Sequence, residues 1–186
     1  MILVTLGTQD KSFPRLIKAV DDAVKEGYIE EKVIVQAGCT EYSSENLDIF
    51  GMTSPEEMRK LIKEARIVIT HGGVGSILSA IELGKPVIAM ARLEKYGEHH
   101  NDHQMDIISA LEQRGYIFQL SENGRLDELL TKCKGFTPDP FPSNQKQFNE
   151  SILKYIKSDD HTSWWNRIKY VVMVAGLCVI LAVLIL

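Results

Sequence analysis

Along most of the chain, short apolar runs alternate with longer stretches in which apolar positions return every three or four residues. Ile2–Leu6 is a continuous apolar-rich run and predicts a strand. Phe13–Lys25 then carries Phe13, Leu16, Ile17, Val20 and Val24 at helical spacing. Lys32–Gln36 and Leu47–Phe50 predict the next two strands. At Ser54-Pro55-Glu56-Glu57 a serine stands in the N-cap place, a proline in the first helical position and two acids in the first turn. That order predicts a helix running to about Glu64. The pattern continues with a strand at Ile67–Thr70, a helix at Ser76–Leu83 closed by Gly84, and a strand at Pro86–Met90. A helix at Asn101–Arg114, a strand at Tyr116–Leu120 and a helix at Arg125–Lys134 follow. Thr137–Pro142 is a Pro-rich linker before a last predicted helix, about Asn144–Lys157.

Alternation of apolar strands with helices predicts an α/β fold whose parallel sheet is covered on both faces. Ligands of such sheets bind beyond the carboxyl ends of the strands, where loops lead into helix N-termini. The predicted globular part is residues 1–158, with 159–167 a polar and aromatic connector.

Residues 168–186 break the pattern. Lys169 is their one charge, and no polar face exists after it. As a helix, Tyr170–Leu186 would span about 26 Å, close to the hydrocarbon thickness of a bilayer. Trp164, Trp165, Arg167 and Lys169 stand at one end, as at a cytoplasmic membrane interface. The expectation is a single-pass C-terminal anchor with the globular part in the cytoplasm. The start of the chain, Met1–Gly7, has no positive n-region and reads as a first strand instead of a signal peptide.

The chain carries 21 basic and 25 acidic side chains, a net charge of −4. Without a broad basic field it is not expected to bind duplex nucleic acid. Cys39, Cys133 and Cys178 show no C-x-x-C or zinc-finger spacing and read as unpaired thiols in a reducing compartment.

Three loops after predicted strands carry candidate chemistry. Gly7-Thr8-Gln9 follows the first strand and precedes a helix, where a glycine admits close approach to a ligand. His71-Gly72-Gly73-Val74-Gly75-Ser76 opens a helix. Its amides and the Ser76 hydroxyl would suit a diphosphate, although a tight turn without a ligand is the alternative. No Gly-Lys-Ser/Thr follows, so this is not the phosphate loop of ATP hydrolases. The third is Gly97-Glu98-His99-His100-Asn101-Asp102-His103-Gln104, whose polar side chains suit sugar hydroxyls, a metal, or a solvated helix start. Phe50-Gly51-Met52, after another strand, offers an apolar shelf for a nucleobase. Together these point to a nucleotide sugar.

In this order, Leu3–Gln9 with Phe13, the His71–Ser76 loop, Gly84-Lys85-Pro86, and Glu98-His99 followed by Asp102-His103-Gln104 resemble the donor-binding half of MurG-like glycosyltransferases. Nearer still are the small single-domain members. These are the catalytic subunit of the eukaryotic dolichol-linked N-acetylglucosamine transferase and bacterial polysaccharide enzymes of the PssE, EpsF and CpsG type. The resemblance covers about residues 1–155. It implies a Rossmann-like sheet forming the C-terminal half of a GT-B enzyme. It also implies that Gly72, Gly73, Gly75 and Ser76 hold the UDP diphosphate, with Gly7, Thr8 and Gln9 facing the donor from the neighbouring strand. The segment of Phe50 and Met52 matches the one that holds uracil, His103 and Gln104 fall at the donor sugar, and Glu98 is counted among the donor-binding residues. No metal or other cofactor is implied, because helix dipoles and amides stabilise the departing diphosphate.

The same resemblance implies an inverting transfer from a UDP-sugar to a lipid-diphosphate-linked acceptor in polysaccharide biosynthesis. The acceptor half would come from a membrane partner resembling PssD, CpsF or the eukaryotic membrane subunit. His71 and His99 are this chain's candidates for the general base, unless the partner supplies it. Two departures stand out. The helix position of the family's ribose-binding Glu is Ser79 here, with Glu82 one turn later, and this chain carries its own anchor. The rival expectation is a non-catalytic, membrane-tethered nucleotide-binding subunit that stabilises a partner transferase.

Overall fold

A computed structural model describes residues 1–141. The last predicted helix, the connector 159–167, the anchor 168–186 and Cys178 lie outside the described residues. No helix among those described is long and apolar enough to cross a membrane.

Six strands form one parallel sheet: β1 (Ile2–Thr5), β2 (Val33–Gln36), β3 (Asp48–Phe50), β4 (Ile67–His71), β5 (Val87–Met90) and β6 (Phe118–Gln119). Their order is β3-β2-β1-β4-β5-β6, with Thr5 level with both Gln36 and Thr70, and His71 level with Met90. The helices are α1 (Pro14–Lys25), α2 (Pro55–Glu64), α3 (Val74–Glu82), α4 (His103–Gln113) and α5 (Leu126–Lys132). They follow the predicted positions to within a few residues. β6 is shorter than its apolar run, and a short 3-10 turn at Glu94–Tyr96 was not expected.

Strand periodicity divides the core. Ile2 and Val4 of β1 pack with Leu16, Ile17 and Val20 of α1 and Leu129 of α5. Leu3 faces the other way, toward Ile62 of α2, Ile77 and Ile81 of α3, and Ile108 of α4. Both faces are therefore dry, which is why the strands read as unbroken apolar runs and not as alternating ones. The α2 start follows the sequence signal, with the Ser54 hydroxyl accepting from the Glu57 amide at 3.2 Å and Pro55 in the first turn.

The strand order reverses between β1 and β4. In an open parallel sheet this is where a crevice forms beyond the carboxyl ends of the strands.

Candidate functional site

Polar residues that end the apolar strands build the crevice. Gln36, the last residue of β2 and 2% exposed, accepts from the Thr5 hydroxyl at 2.7 Å and from the Gly7 amide at 3.1 Å through one oxygen. Its Nε2 donates to the Gly7 carbonyl at 2.9 Å and to the Gly51 carbonyl at 3.3 Å. One buried carboxamide thus ties the loop after β1 to the loop after β3. The Thr40 hydroxyl accepts from the Phe13 amide at 2.9 Å and so fixes the entry of α1.

His71 closes β4 instead of opening the glycine loop. Its Nδ1 lies 3.3 Å from the Thr5 carbonyl, a contact that requires the proton on Nδ1 and leaves Nε2 bare. The ring is enclosed by glycines. A Cβ on Gly7, whose φ is +75°, would stand 2.6 Å from Cε1, and one on Gly73 would stand 2.3 Å from Nε2. Burial lowers the imidazole pKa to about 4, against the hydrogen bond to Thr5, and the Arg92 cation adds to the fall. This corrects two expectations. The ring is packed between backbones and neutral, which does not suit a general base that must reach an acceptor hydroxyl. The missing side chains at Gly7 and Gly73 are explained by the ring itself, so their identity does not depend on a ligand.

Gly72 is occupied in the same way, since its Cβ would meet the side chain of Gln104 at 2.6 Å. Gly75 alone in this loop faces open space, in the first turn of α3 beside the half-buried Ser76. The first-turn amides of any helix lack intrahelical acceptors, so this end of α3 presents free N–H groups.

The histidine-rich segment spreads apart. Glu98 turns inward, 4% exposed, and binds Arg15 through both oxygens, at 3.1 and 2.8 Å. It also accepts from the Leu93 amide at 3.0 Å. Its carboxylate is thus held by partners within the fold. His103 is exposed, 3.6 Å from Asp106, and its side chain does not join Gln104. His99 is half-buried with Nδ1 3.4 Å from the Asn101 amide, and His100 lies 3.3 Å from the Lys11 ammonium. Asp102 accepts from the Glu94 amide at 2.8 Å. Among the described residues no group of His, Cys, Asp and Glu converges as a metal site.

Of the expected residues, the structure therefore brings together Gly7, His71, Gly72, Gly73 and Gln104, with Gly75 and Ser76 on the adjoining turn. Thr8 is exposed and Gln9 half-buried on the loop after β1. Phe50 ends β3 half-buried, and Met52 beyond it is 52% exposed. Ser79 donates its hydroxyl to the Gly75 carbonyl at 2.7 Å, while Glu82 is exposed at the end of α3. Sequence reasoning passed over Gln36, Arg92 and Arg15. The first two carry a readable signal: a polar residue where an apolar strand of a parallel sheet ends stands at the ligand end. A cavity of about 840 Å³ also exists at the amino end of the sheet, lined by Ile2, Tyr28, Glu31 and Arg66 among others. Its Arg66 and Glu31 pair with each other, and it lies away from the crevice.

A family model described as the glycosyltransferase family 28 C-terminal domain matches residues 1–158. The chain is 30% identical over 128 residues to the Homo sapiens UDP-N-acetylglucosamine transferase subunit ALG13, covering 63% of this chain and 11% of that protein. The Mus musculus protein of the same name is 32% identical over 63 residues, covering 34% of this chain and 5% of that one. The chain thus spans a small fraction of the length of these curated relatives. Among solved structures, the solution structure of ALG13 superposes with a TM-score of 0.52 at 21% identity, over 78% of this chain and 91% of that one. Os79 from O. sativa in complex with UDP gives 0.53 at 14% identity, over 82% and 34%. At such identities these two structures show the shared fold.

Proposed function

Since the chain belongs to the glycosyltransferase family 28 C-terminal domain family, we propose that it is the donor-binding subunit of a UDP-sugar-dependent, inverting glycosyltransferase. The acceptor is a lipid-diphosphate-linked sugar at the cytoplasmic face of the membrane, in polysaccharide biosynthesis. The observation that carries this reading is the convergence of the loops after β1, β3, β4 and β5 at the strand-order reversal.

In this reading the free amides at the start of α3, with Gly75 and Ser76, receive the diphosphate. Phe50 and Met52 flank the base, and the Gln104 carboxamide faces the sugar. The acceptor oxygen bonds to the anomeric carbon as the bond from that carbon to the diphosphate oxygen breaks. The hydroxyl proton passes to a base, and UDP leaves with the electron pair. Amides and the positive end of α3 stabilise that leaving group without a metal. With His71 enclosed, the base is His99 or a group on the acceptor half. A GT-B site lies between two Rossmann-like domains, and the matched residues supply one. We therefore place the acceptor half on a PssD- or CpsF-like membrane partner, with residues 168–186 anchoring this chain beside it. The human relative's name, a transferase subunit, supports that division.

Ser79, folded back onto its own helix, favours the rival reading of a non-catalytic subunit, since the family's ribose-binding Glu is expected there. Calorimetric titration of the full chain in detergent with UDP, UDP-galactose, UDP-glucuronate and UDP-N-acetylglucosamine tests the proposal. One sugar nucleotide should bind more tightly than UDP. Absence of binding by all four, both alone and with the partner co-expressed, refutes a donor site on this chain.

A further inference from the structure

We infer that Arg92 is the positioning residue of this site: its buried guanidinium closes the loop after β1 while its backbone amide aims the Gln104 carboxamide. Arg92 stands two residues beyond β5 and is 1% exposed. The guanidinium donates to the carbonyls of Lys11 at 2.6 Å, Leu6 at 2.8 Å and Glu98 at 3.3 Å. Leu6 and Lys11 bracket the loop that holds Gly7, Thr8 and Gln9, so one planar group fixes both ends of it. Its carbon centre lies 4.9 Å from the centre of the Phe13 ring, which holds the fork in plane. The Arg92 amide donates to Gln104 Oε1 at 3.0 Å, which leaves the Nε2 end of that carboxamide for a ligand.

Arg92 is a buried cation held without a direct ion pair. The nearby carboxylate of Glu98 is bound to Arg15, so Arg92 is buried against carbonyl dipoles and an aromatic face instead of in an ion pair. Its Nε has no hydrogen-bond partner among the described residues. Burial accordingly lowers its proton affinity, with only partial relief from Glu98. An apolar side chain at 92 would leave the carbonyls of Lys11, Leu6 and Glu98 without this donor. The carbonyls that Arg92 holds all lie at the carboxyl end of the sheet, on the segments of the crevice. A lysine cannot imitate this, because a single ammonium lacks the rigid fork that spans two carbonyls.

The inference deepens the donor-site reading and rests on it for its ligand, so the test has one readout that needs no ligand. Full-length wild type, Arg92→Lys, Arg92→Met and a control, Val33→Ala at the amino end of the sheet, are compared. Amide hydrogen exchange is followed without ligand, and binding is followed by UDP titration. Arg92→Lys should speed exchange at residues 7–11 and weaken UDP binding by about tenfold or more. Arg92→Met should do the same if it folds, and Arg92→Lys carries the test if it does not. Val33→Ala should lower the thermal midpoint yet hold UDP affinity within about twofold. Wild-type exchange at residues 7–11 in Arg92→Lys overturns the inference, as does an equal loss of UDP affinity in Arg92→Lys and Val33→Ala. If wild type binds no UDP, alone or with the partner co-expressed, while Arg92→Lys still loosens residues 7–11, the brace stands and the donor-site reading falls.

Discussion

Replacing Gly73 with alanine isolates the contact on which the glycine loop is built. The new methyl would stand 2.3 Å from His71 Nε2 and 3.0 Å from both Cδ2 and Cε1, well inside ordinary contact distance. The backbone at residue 73 has φ −74° and ψ 119°, open to any L-residue, so the penalty comes from the imidazole alone. The ring has little room to retreat. Gly7 lies on it from another side, and its Nδ1 is held by the Thr5 carbonyl at 3.3 Å. Overpacking of this kind costs about 1–3 kcal/mol. In a His71→Ala background the methyl meets space instead. There the same change should gain about 0.4–1 kcal/mol by narrowing the unfolded ensemble. The coupling between the two sites should then lie between about 1.5 and 4 kcal/mol. Urea unfolding followed by circular dichroism on the four proteins of the cycle measures it. A cost for Gly73→Ala equal in both backgrounds to within about 0.5 kcal/mol would refute the packing argument.

Two further outcomes follow from buried groups elsewhere in the fold. His71 titrates near 4 in the folded chain and near its ordinary value of about 6.5 when unfolded. The unfolded chain therefore takes up the proton first as pH falls, and stability drops from pH 6.5 to about 4 by a total of about 3 kcal/mol. Denaturation midpoints across that range should show the slope. His71→Gln should remove it, and an unchanged slope in that variant defeats the assignment. At the other end of α1, burial alone would raise the Asp21 pKa. Hydrogen bonds from Lys25, Asn46, Ser44 and Tyr42 outweigh it and hold the carboxylate well below its usual range. Asp21→Asn should cost about 2–3 kcal/mol in thermal unfolding by leaving those donors poorly matched. A loss below about 0.5 kcal/mol would mean that the 42–46 loop is held by something else.

The elements were legible because each face of the sheet is dry, so strand and helix runs differ plainly in length and period. The Ser54-Pro55 cap was legible for a local reason, since donor and acceptor are three residues apart. The site was legible at the level of loops and misread at the level of atoms. Three glycines in four positions signal close approach, but nothing in one dimension says whether the approaching group is a phosphate or the chain's own His71 and Gln104. The partner of Glu98 was unreadable for the same reason. That partner, Arg15, lies 83 residues away, and only the strand order, with β4 alone between β1 and β5, brings them together. Gln36 and Arg92 went unread because they follow apolar runs, where composition draws attention to the core and away from the strand's end.

That misreading bears on how the crevice works. Gly7, Gly72 and Gly73 are filled by internal contacts, Gln36 spends its hydrogen bonds on the Thr5 hydroxyl and the backbone of Gly7 and Gly51, and the Arg92 guanidinium donates to backbone carbonyls. The crevice is thus braced by contacts within the chain, and few groups are left to face outward. These are the free amides of the first turn of α3, the space at Gly75, the Gln104 carboxamide and the exposed Met52 and Val74. A nucleotide sugar resting there would keep its far side in water, where a departing diphosphate is screened and hydrolysis competes with transfer. A donor surface braced within one chain is what the proposed division of labour requires. In the proposed reading the donor face would be set in this chain, and exclusion of water would fall to the acceptor half.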